Sequence, residues 1–183
     1  MKRRRFTIAA AVCVVATLAA AAAAPADVKI SDQAYVRNDG GTDVTIARCS
    51  VDNRQQNEPA AAVNAASSTL MTAGANDYCT SPTTGDVWAG FYYSSDGGQT
   101  WTDSLVPGYL TDTSVVGRQS PAFGIGAAGD PTQAWDSLGH LYYGFIAFNR
   151  GKPANAGLFV ARLGRSSRSS IPPPTWDPRG STT

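Results

Sequence analysis

The stretch Ser-Ser-Asp-Gly-Gly-Gln-Thr-Trp at residues 94–101, directly after the aromatic run at 87–93, decides the fold. Its two adjacent glycines supply the positive φ angles that a tight turn needs. The carboxylate of Asp96 can accept hydrogen bonds from the N–H groups of the turn, as Asx turns do. The ring of Trp101 can then fold back over the hairpin. The stretch therefore predicts a β-hairpin whose tip is stabilised by its own side chains.

The spacing within this hairpin resembles a known repeat. The pattern Ser-x-Asp-x-Gly-x-Thr-Trp resembles the Asp-box, or bacterial neuraminidase (BNR) repeat, of sialidase-like β-propellers. In that family the box joins the two outer strands of a blade, on the face away from the active site. The resemblance implies an all-β propeller architecture and a structural role for the residues that form the box: Ser94, Asp96, Gly98, Thr100 and Trp101.

Residues 1–26 predict an export signal. Four basic residues at 2–5 precede an apolar run at 8–24, and small residues at 24–26 allow cleavage before Asp27. The arginines fit twin-arginine export as well as the general secretory route. Formal net charge is +1, and without the four basic leader residues it becomes 1 − 4 = −3. We expect a secreted or extracytoplasmic protein with no stable membrane insertion after cleavage, and no basic patch indicates nucleic-acid binding.

Two cysteines, Cys49 and Cys79, follow the leader. In an oxidising compartment such a pair is expected to form a disulfide, and two separate buried thiols are the alternative. The bridge would close a loop of about 30 residues and stabilise the fold by about 3 kcal/mol in the chain-entropy model. With a single histidine, His140, and no Cys-x-x-Cys, the sequence predicts no metal site. We expect no cofactor.

Residues 27–56 form a lead-in before the first clear strand. Alternating runs at 28–30 and 43–48, on either side of turn residues 38–41, predict one or two strands there. Downstream, apolar runs bounded by turn residues predict the strands of a first antiparallel sheet at 58–64, 69–76 and 86–93, with a fourth beginning at 101–102.

An internal repeat predicts a second sheet. The segment Glu-Pro-x-x-Ala-Val-Asn at 58–64 returns 72 residues later as Asp-Pro-x-x-Ala-Trp-Asp at 130–136. Further strands are expected at 140–148 and 157–162. Each copy consists of an acid-proline strand, a turn, a second strand, a loop and a third strand. Two such copies in succession are typical of neighbouring propeller blades. The sequence therefore predicts about two blades of antiparallel sheet over residues 57–162.

The second copy lacks an Asp-box. In its place, residues 163–183 are rich in Ser, Arg and Pro, a composition typical of a disordered tail. A ring of blades needs closure to remove its open edges. These features predict a partial sialidase-type propeller with disordered termini, from a truncated or frame-shifted product.

Propeller topology selects the candidate site residues. Loops that enter innermost strands and loops between second and third strands share one face near the axis, and the Asp-box turn lies on the other. Asp77 ends a second strand, roughly where the family's acid/base aspartate lies, although an exposed loop residue is the simpler interpretation. The candidate binding residues on this face are Asn57, Glu58, Tyr78, Asp130 and Arg150.

The resemblance leaves two function classes open. Sialidases of this fold bind the substrate carboxylate with three arginines and use an aspartate with a tyrosine–glutamate pair. Aligned on the proline of the family's Phe-Arg-Ile-Pro motif, this chain has Asn57 where the arginine is expected, and the blades of the tyrosine–glutamate pair are missing. One class is a sialidase-type glycoside hydrolase, inactive as this fragment. The other is a non-catalytic secreted propeller that binds glycans, polysaccharide or protein partners.

Overall fold

The computed structural model describes residues 27–31, 33–51, 55–151, 155–164 and 175–176. The predicted signal at 1–26 and most of the predicted tail lie outside these residues. The described chain is all-β, with two four-stranded antiparallel sheets and short helices in the connections. None of the helices in these ranges has the length and apolar character that would let it span a membrane.

The first sheet contains four strands in sequence order. They are β1 (Gln56–Val63), β2 (Met71–Asp77), β3 (Trp88–Ser94) and β4 (Thr102–Leu105). All seven residues of β3 and six of the seven in β2 are buried, so both faces of this sheet are covered. A strand buried on both faces has a nearly continuous apolar run, as the aromatic stretch before the Asp-box shows.

The second sheet also contains four strands in sequence order. They are β5 (Ala127–Trp135), β6 (Leu141–Phe148), β7 (Ala156–Gly164) and β8 (Thr175–Trp176). The predicted all-β fold with two successive antiparallel sheets is confirmed. The prediction of a tail from residue 163 onward is wrong for two short stretches, since β7 continues to Gly164 and β8 pairs with its end. The edge of β7 offers unpaired backbone groups, which β8 satisfies.

The two sheets pack face to face, with β5 lying against β1, β2 and β3. The hydroxyl of Tyr143 in β6 donates to the carbonyl oxygen of Gly90 in β3 at 2.6 Å. The rings of Phe91 and Tyr143 meet edge to face, with centroids 5.9 Å apart. These contacts make one core from the two sheets.

The lead-in covers the other face of the first sheet. Tyr35 and Ile46 are buried in the same core cluster as Trp88 and Tyr92. The backbone N–H of Val36 donates to the carbonyl oxygen of Asp103 at 2.8 Å. The described part of the lead-in thus caps the first sheet.

The predicted strand at 43–48 is wrong, because this segment forms helix α1 (Val44–Cys49). The carboxylate of Asp43 accepts hydrogen bonds from the N–H groups of Thr45 and Ile46, both at 3.0 Å. Such an N-cap satisfies orphan donors of the first helical turn and favours the helix over an extended chain. Of the described lead-in residues, only Gln56, the first residue of β1, lies in a strand.

A disulfide joins this lead-in to the first sheet. Cys49 at the end of α1 is bonded to Cys79, with Cα atoms 4.9 Å apart. Cys79 lies in a single 3-10 turn, Tyr78–Thr80, which continues into helix α2 (Ser81–Thr84). A third short helix, α3 (Val115–Gln119), lies between β4 and β5. The bridge fixes the lead-in beside the end of β2.

Candidate functional site

The two acid-proline segments form matching irregularities in the innermost strands. The register of β1 shifts between Asn57 and Ala60, and that of β5 shifts between Gly129 and Thr132. Within these bulges Glu58 has a φ of 52° and Asp130 a φ of 53°, the only positive values at non-glycine residues in the described chain. A left-handed residue costs energy, and proline at the next position disfavours it further. Tertiary contacts must therefore hold both residues.

Asn76 in β2 supplies those contacts. Its Nδ2 donates to Glu58 Oε2 at 2.9 Å and to Asp130 Oδ1 at 3.3 Å. Its Oδ1 accepts a hydrogen bond from the backbone N–H of Asp130 at 2.6 Å. A methyl group at Gly129 would lie 2.4 Å from this oxygen, so the approach requires glycine there. One buried amide therefore brings a carboxylate from each sheet to the same place.

We call Glu58 and Asp130 the carboxylate pair. Both residues are exposed, whereas Asn76 is buried. Each carboxylate has one oxygen on Asn76, and an ionised carboxylate accepts through about four lone-pair positions. The remaining positions face solvent and can accept hydrogen bonds from a ligand's hydroxyl groups. Asn57, also exposed, lies opposite Asn76 in the strand register.

Tyr78 follows β2 and Arg150 follows β6, so both lie at the end of the strands where the carboxylate pair is found. The Nε of Arg150 lies 2.5 Å from Asp86 Oδ2, and its guanidinium lies 5.0 Å from the centre of the Phe148 ring. The carboxylate of Asp86 holds the pKa of Arg150 above its usual value, with a small contribution from Tyr78. Among the described contacts, Arg150 bonds to Asp86 and not to the carboxylate pair. The structure therefore divides the predicted binding residues into two groups.

Asp77 is fully buried, so its interpretation as an exposed loop residue is wrong. Its carboxylate accepts hydrogen bonds from the hydroxyls of Tyr35 and Tyr92, the latter at 2.8 Å, and from the N–H of Cys79 at 2.9 Å. Burial raises the pKa of Asp77 and, together with the charge of Asp77, raises the pKa of both tyrosines. A carboxyl enclosed in this way cannot reach a sugar while the protein is folded.

The Asp-box turn lies at the opposite end of β3. Trp88 at the start of β3 pairs with Asp77, whereas Ser94 at its end pairs with Met71. Asp96 Oδ1 accepts from the N–H groups of Gln99 and Thr100, and its Oδ2 accepts from the Thr100 hydroxyl at 2.6 Å. The Thr100 hydroxyl is the main cause that lowers the pKa of Asp96 to about 2.

The rest of the box supports this turn. Gly97 and Gly98 have φ angles of 77° and 88°. The hydroxyl of Ser94 accepts from the N–H of Gly98 at 2.9 Å, and the indole N–H of Trp101 donates to the Gly98 carbonyl at 3.0 Å. These side chains bond to their own turn, and the strand register separates them from the carboxylate pair.

Sequence reasoning missed Asn76, Tyr35 and Tyr92. Asn76 is a polar residue inside an apolar strand, and that exception was the available signal, because a buried amide must find partners. Tyr35 and Tyr92 carried no signal of their own. Tyr92 lies within an aromatic run, and Tyr35 is 42 residues away from the carboxylate it contacts.

The site offers hydrogen-bond acceptors. The described residues contain no group of three or more His, Cys, Asp or Glu side chains arranged to hold a metal ion. A glycoside hydrolase places two carboxyl groups on either side of the scissile bond. Here Asn76 bridges the carboxylate pair, which leaves no room for a sugar between these two oxygens. The arrangement suits recognition of hydroxyl groups better than cleavage.

No family model matches the chain, and no curated protein matches it. One similar solved structure has 18% identity and a TM-score of 0.37, and the match covers 67% of this chain and 30% of that one. Its description reads that the GH130 family of mannoside phosphorylases contains glycoside hydrolases that target β-1,2 mannosidic linkages in Candida mannan. Another, the Trypanosoma rangeli sialidase in complex with the inhibitor DANA, has 18% identity and a TM-score of 0.36 over 67% of this chain and 19% of that one. The chain spans less than a third of either structure.

Proposed function

We propose that this protein is an exported, non-catalytic propeller module that binds neutral glycans through the carboxylate pair. One observation carries the proposal: Asn76 gathers Glu58 and Asp130 from two sheets and leaves both exposed. Keeping two acidic residues in left-handed backbone next to prolines opposes folding. Strain of this kind is commonly retained at functional sites.

The charge of the site favours an uncharged ligand. Two carboxylates accept hydrogen bonds from sugar hydroxyls, and such charge-assisted bonds are roughly twice as strong as neutral ones. A sialoside would bring its own carboxylate towards two like charges. Asn57 stands where the sialidase resemblance expects an arginine, and an amide cannot neutralise that carboxylate. The positive charge of Arg150, at this end of the strands, is paired with the carboxylate of Asp86.

The proposal excludes hydrolysis of sialosides by this chain. Asp77, the candidate general acid, is enclosed by Tyr35, Tyr92 and Cys79 and has no exposed surface. General acid catalysis needs a group within hydrogen-bond reach of the leaving oxygen, directly or through one water. We retain export in the proposal because the leader pattern and the Cys49–Cys79 disulfide fit an oxidising compartment.

The direct test measures binding of neutral and sialylated oligosaccharides to the purified chain, first on a glycan array and then by calorimetry. Glu58→Gln and Asp130→Asn keep side-chain size and remove the charges, and each is expected to weaken binding about tenfold or more. Asp136→Asn is the matched control, because Asp136 lies in the β5–β6 turn and bonds to His140. Binding restricted to sialylated glycans, or equal losses in all three variants, would contradict the proposal.

A fluorogenic sialoside assay tests the absence of catalysis, with a full-length sialidase as the positive control. We expect no turnover above background. Turnover that disappears in Asp77→Asn, in a variant shown to remain folded, would make the hydrolase class the better description.

A further inference from the structure

Three polar atoms in the two sheets are buried and make no hydrogen bond to any residue that the structure describes. They are Thr72 Oγ1 in β2 and, in β5, Gln133 Oε1 and Trp135 Nε1. Buried polar atoms of native proteins almost always have a partner, because an unpaired one loses its hydration without compensation. Each of these atoms therefore needs an explanation. We call the three residues the polar seam.

The contacts between the sheets show how β2 and β5 are aligned. The Oδ1 of Asn76 in β2 accepts a hydrogen bond from the N–H of Asp130 in β5. Two residues earlier in β2, a methyl group on Gly74 would lie 2.8 Å from the Nε2 of Gln133, which is three residues later in β5. Going backwards along β2 thus corresponds to going forwards along β5. The two strands cross the contact in opposite directions.

This alignment brings the polar seam together. Alternate residues of a strand share a face, so the next step along each strand places Thr72 opposite Trp135. Thr72 pairs with Tyr93 in the first sheet, and Trp135 pairs with Leu141 in the second. Thr72 is 1% exposed, Leu141 is 0% exposed and Trp135 packs against the same core. The polar seam therefore lies between the two sheets, at the end away from the carboxylate pair.

The three atoms differ in what they can donate and accept. An indole N–H only donates, an amide oxygen only accepts, and a hydroxyl does both. A water molecule can accept from Trp135 Nε1, donate to Gln133 Oε1 and form a third bond with Thr72 Oγ1. About three hydrogen bonds to otherwise unpaired groups are typical of a buried water. We propose that the polar seam binds one water molecule that bridges the two sheets.

The surroundings of the polar seam favour water over an ion. Tyr93 and Leu141, which the strand register places beside it, are both uncharged. An ion at this position would lose its hydration without gaining a countercharge, which costs far more than burying a hydrogen-bonded neutral group. The water and Asn76 then act as two polar links between β2 and β5, one towards each end of the contact.

A crystal structure that resolves ordered water tests the site directly. One water molecule is expected within about 3.2 Å of all three atoms of the polar seam, Thr72 Oγ1, Gln133 Oε1 and Trp135 Nε1. The proposal is overturned if this position holds no water, or if two of the three side chains form a hydrogen bond to each other instead.

Thr72→Val tests the same site through the folding equilibrium, since valine keeps the shape of threonine and removes the hydroxyl. Losing a bond to a bridging water should lower the folding equilibrium constant about fivefold, the usual effect of one net hydrogen bond. Removing a hydroxyl that has no partner would leave the constant unchanged or raise it, and either result contradicts the proposal. Thr132→Val is the matched control at an exposed position of β5, with a change of about twofold or less.

A double-mutant cycle with Trp135→Phe tests whether the two strands share one water. Trp135→Phe removes the indole N–H, so both substitutions delete a partner of the same molecule. Thr72→Val should therefore have a smaller effect in the Trp135→Phe background than in the wild type. Equal effects in both backgrounds contradict the proposal. Urea unfolding with the disulfide intact supplies the equilibrium constants, and Gln133→Leu takes the place of Trp135→Phe if that variant does not fold.

Discussion

Asp77, Tyr35 and Tyr92, which we call the buried cluster, should stabilise the contact between the lead-in and the first sheet. Tyr35→Phe and Tyr92→Phe each remove one hydroxyl that donates to Asp77 and leave the ring in place. A single hydrogen bond of this kind contributes about 1–3 kcal/mol, the upper end applying when the carboxylate is ionised. We expect each variant to unfold with a free energy lower by that amount.

Asp77→Ala should cause a larger loss in the free energy of unfolding than either tyrosine substitution. It deprives three buried donors, Tyr35 Oη, Tyr92 Oη and the N–H of Cys79, of their acceptor. At about 1 kcal/mol or more for each stranded donor, the loss should reach at least about 3 kcal/mol. Tyr142→Phe is the control, since Tyr142 is exposed and its hydroxyl has only a 3.4 Å contact with Asp136, so a change within about 0.5 kcal/mol is expected.

Urea unfolding, with the disulfide intact and fluorescence of the buried Trp88 as the signal, measures these differences. The midpoint should move while the slope with urea stays constant. The reasoning is refuted if Tyr35→Phe and Tyr92→Phe unfold at the wild-type midpoint. A loss of glycan binding in Tyr35→Phe and Tyr92→Phe would require Asp77 to be assigned to the ligand site.

Three further predictions concern the disulfide, the sheet interface and pH. Replacing Cys49 and Cys79 by serine should lower the free energy of unfolding by about 3–4 kcal/mol, measured by urea unfolding, because the bridge spans a sequence separation of 30. Gly74→Ala should cost about 1–3 kcal/mol by overpacking against Tyr143, and Tyr143→Phe should reduce that cost in a double-mutant cycle. Burial raises the pKa of Asp77, so the unfolded chain releases this proton first as pH rises. From about pH 4, the ordinary aspartate pKa, up to the raised value, the wild type should therefore lose stability relative to Asp77→Asn, and parallel pH profiles would contradict this.

The fold could be predicted because its signals are local and repeated. Apolar runs bounded by turn residues predicted the strands, and the 58–64 and 130–136 segments predicted two equivalent sheets. The prediction failed at 43–48, where alternation of apolar and polar residues suggested a strand. Asp43 caps the chain into a helix instead, and residues 45, 46 and 49 are buried on it. One capping side chain outweighed a weak periodic pattern.

The buried cluster could not be predicted, because its partners are distant in sequence. Asp77 follows an apolar strand, and aspartate is seldom fully buried without partners, so an exposed loop was the natural expectation. Its position was decided by Tyr35, 42 residues earlier, and by Tyr92, 15 residues later. Neither tyrosine differs in its local pattern from the other aromatic residues of the core. Tertiary hydrogen bonds of this kind leave no periodic signal in a sequence.

The carboxylate pair differs from the buried cluster, because a sequence repeat marks both of its residues. The repeated acid-proline segments predicted the innermost strands, yet Glu58 and Asp130 adopt a backbone that local rules disfavour. Local packing alone is enough to explain such a violation at one position. The same violation at equivalent positions of two sheets, with one buried Asn76 bonding to both side chains, requires the assembled pair of sheets. Natural proteins break local rules mainly where function or strain compensates, and the side chains held here are exposed and charged. Asn76 compensates the local cost within the fold and leaves both carboxylates exposed, which is why the glycan test belongs at these two residues and not at Asp77.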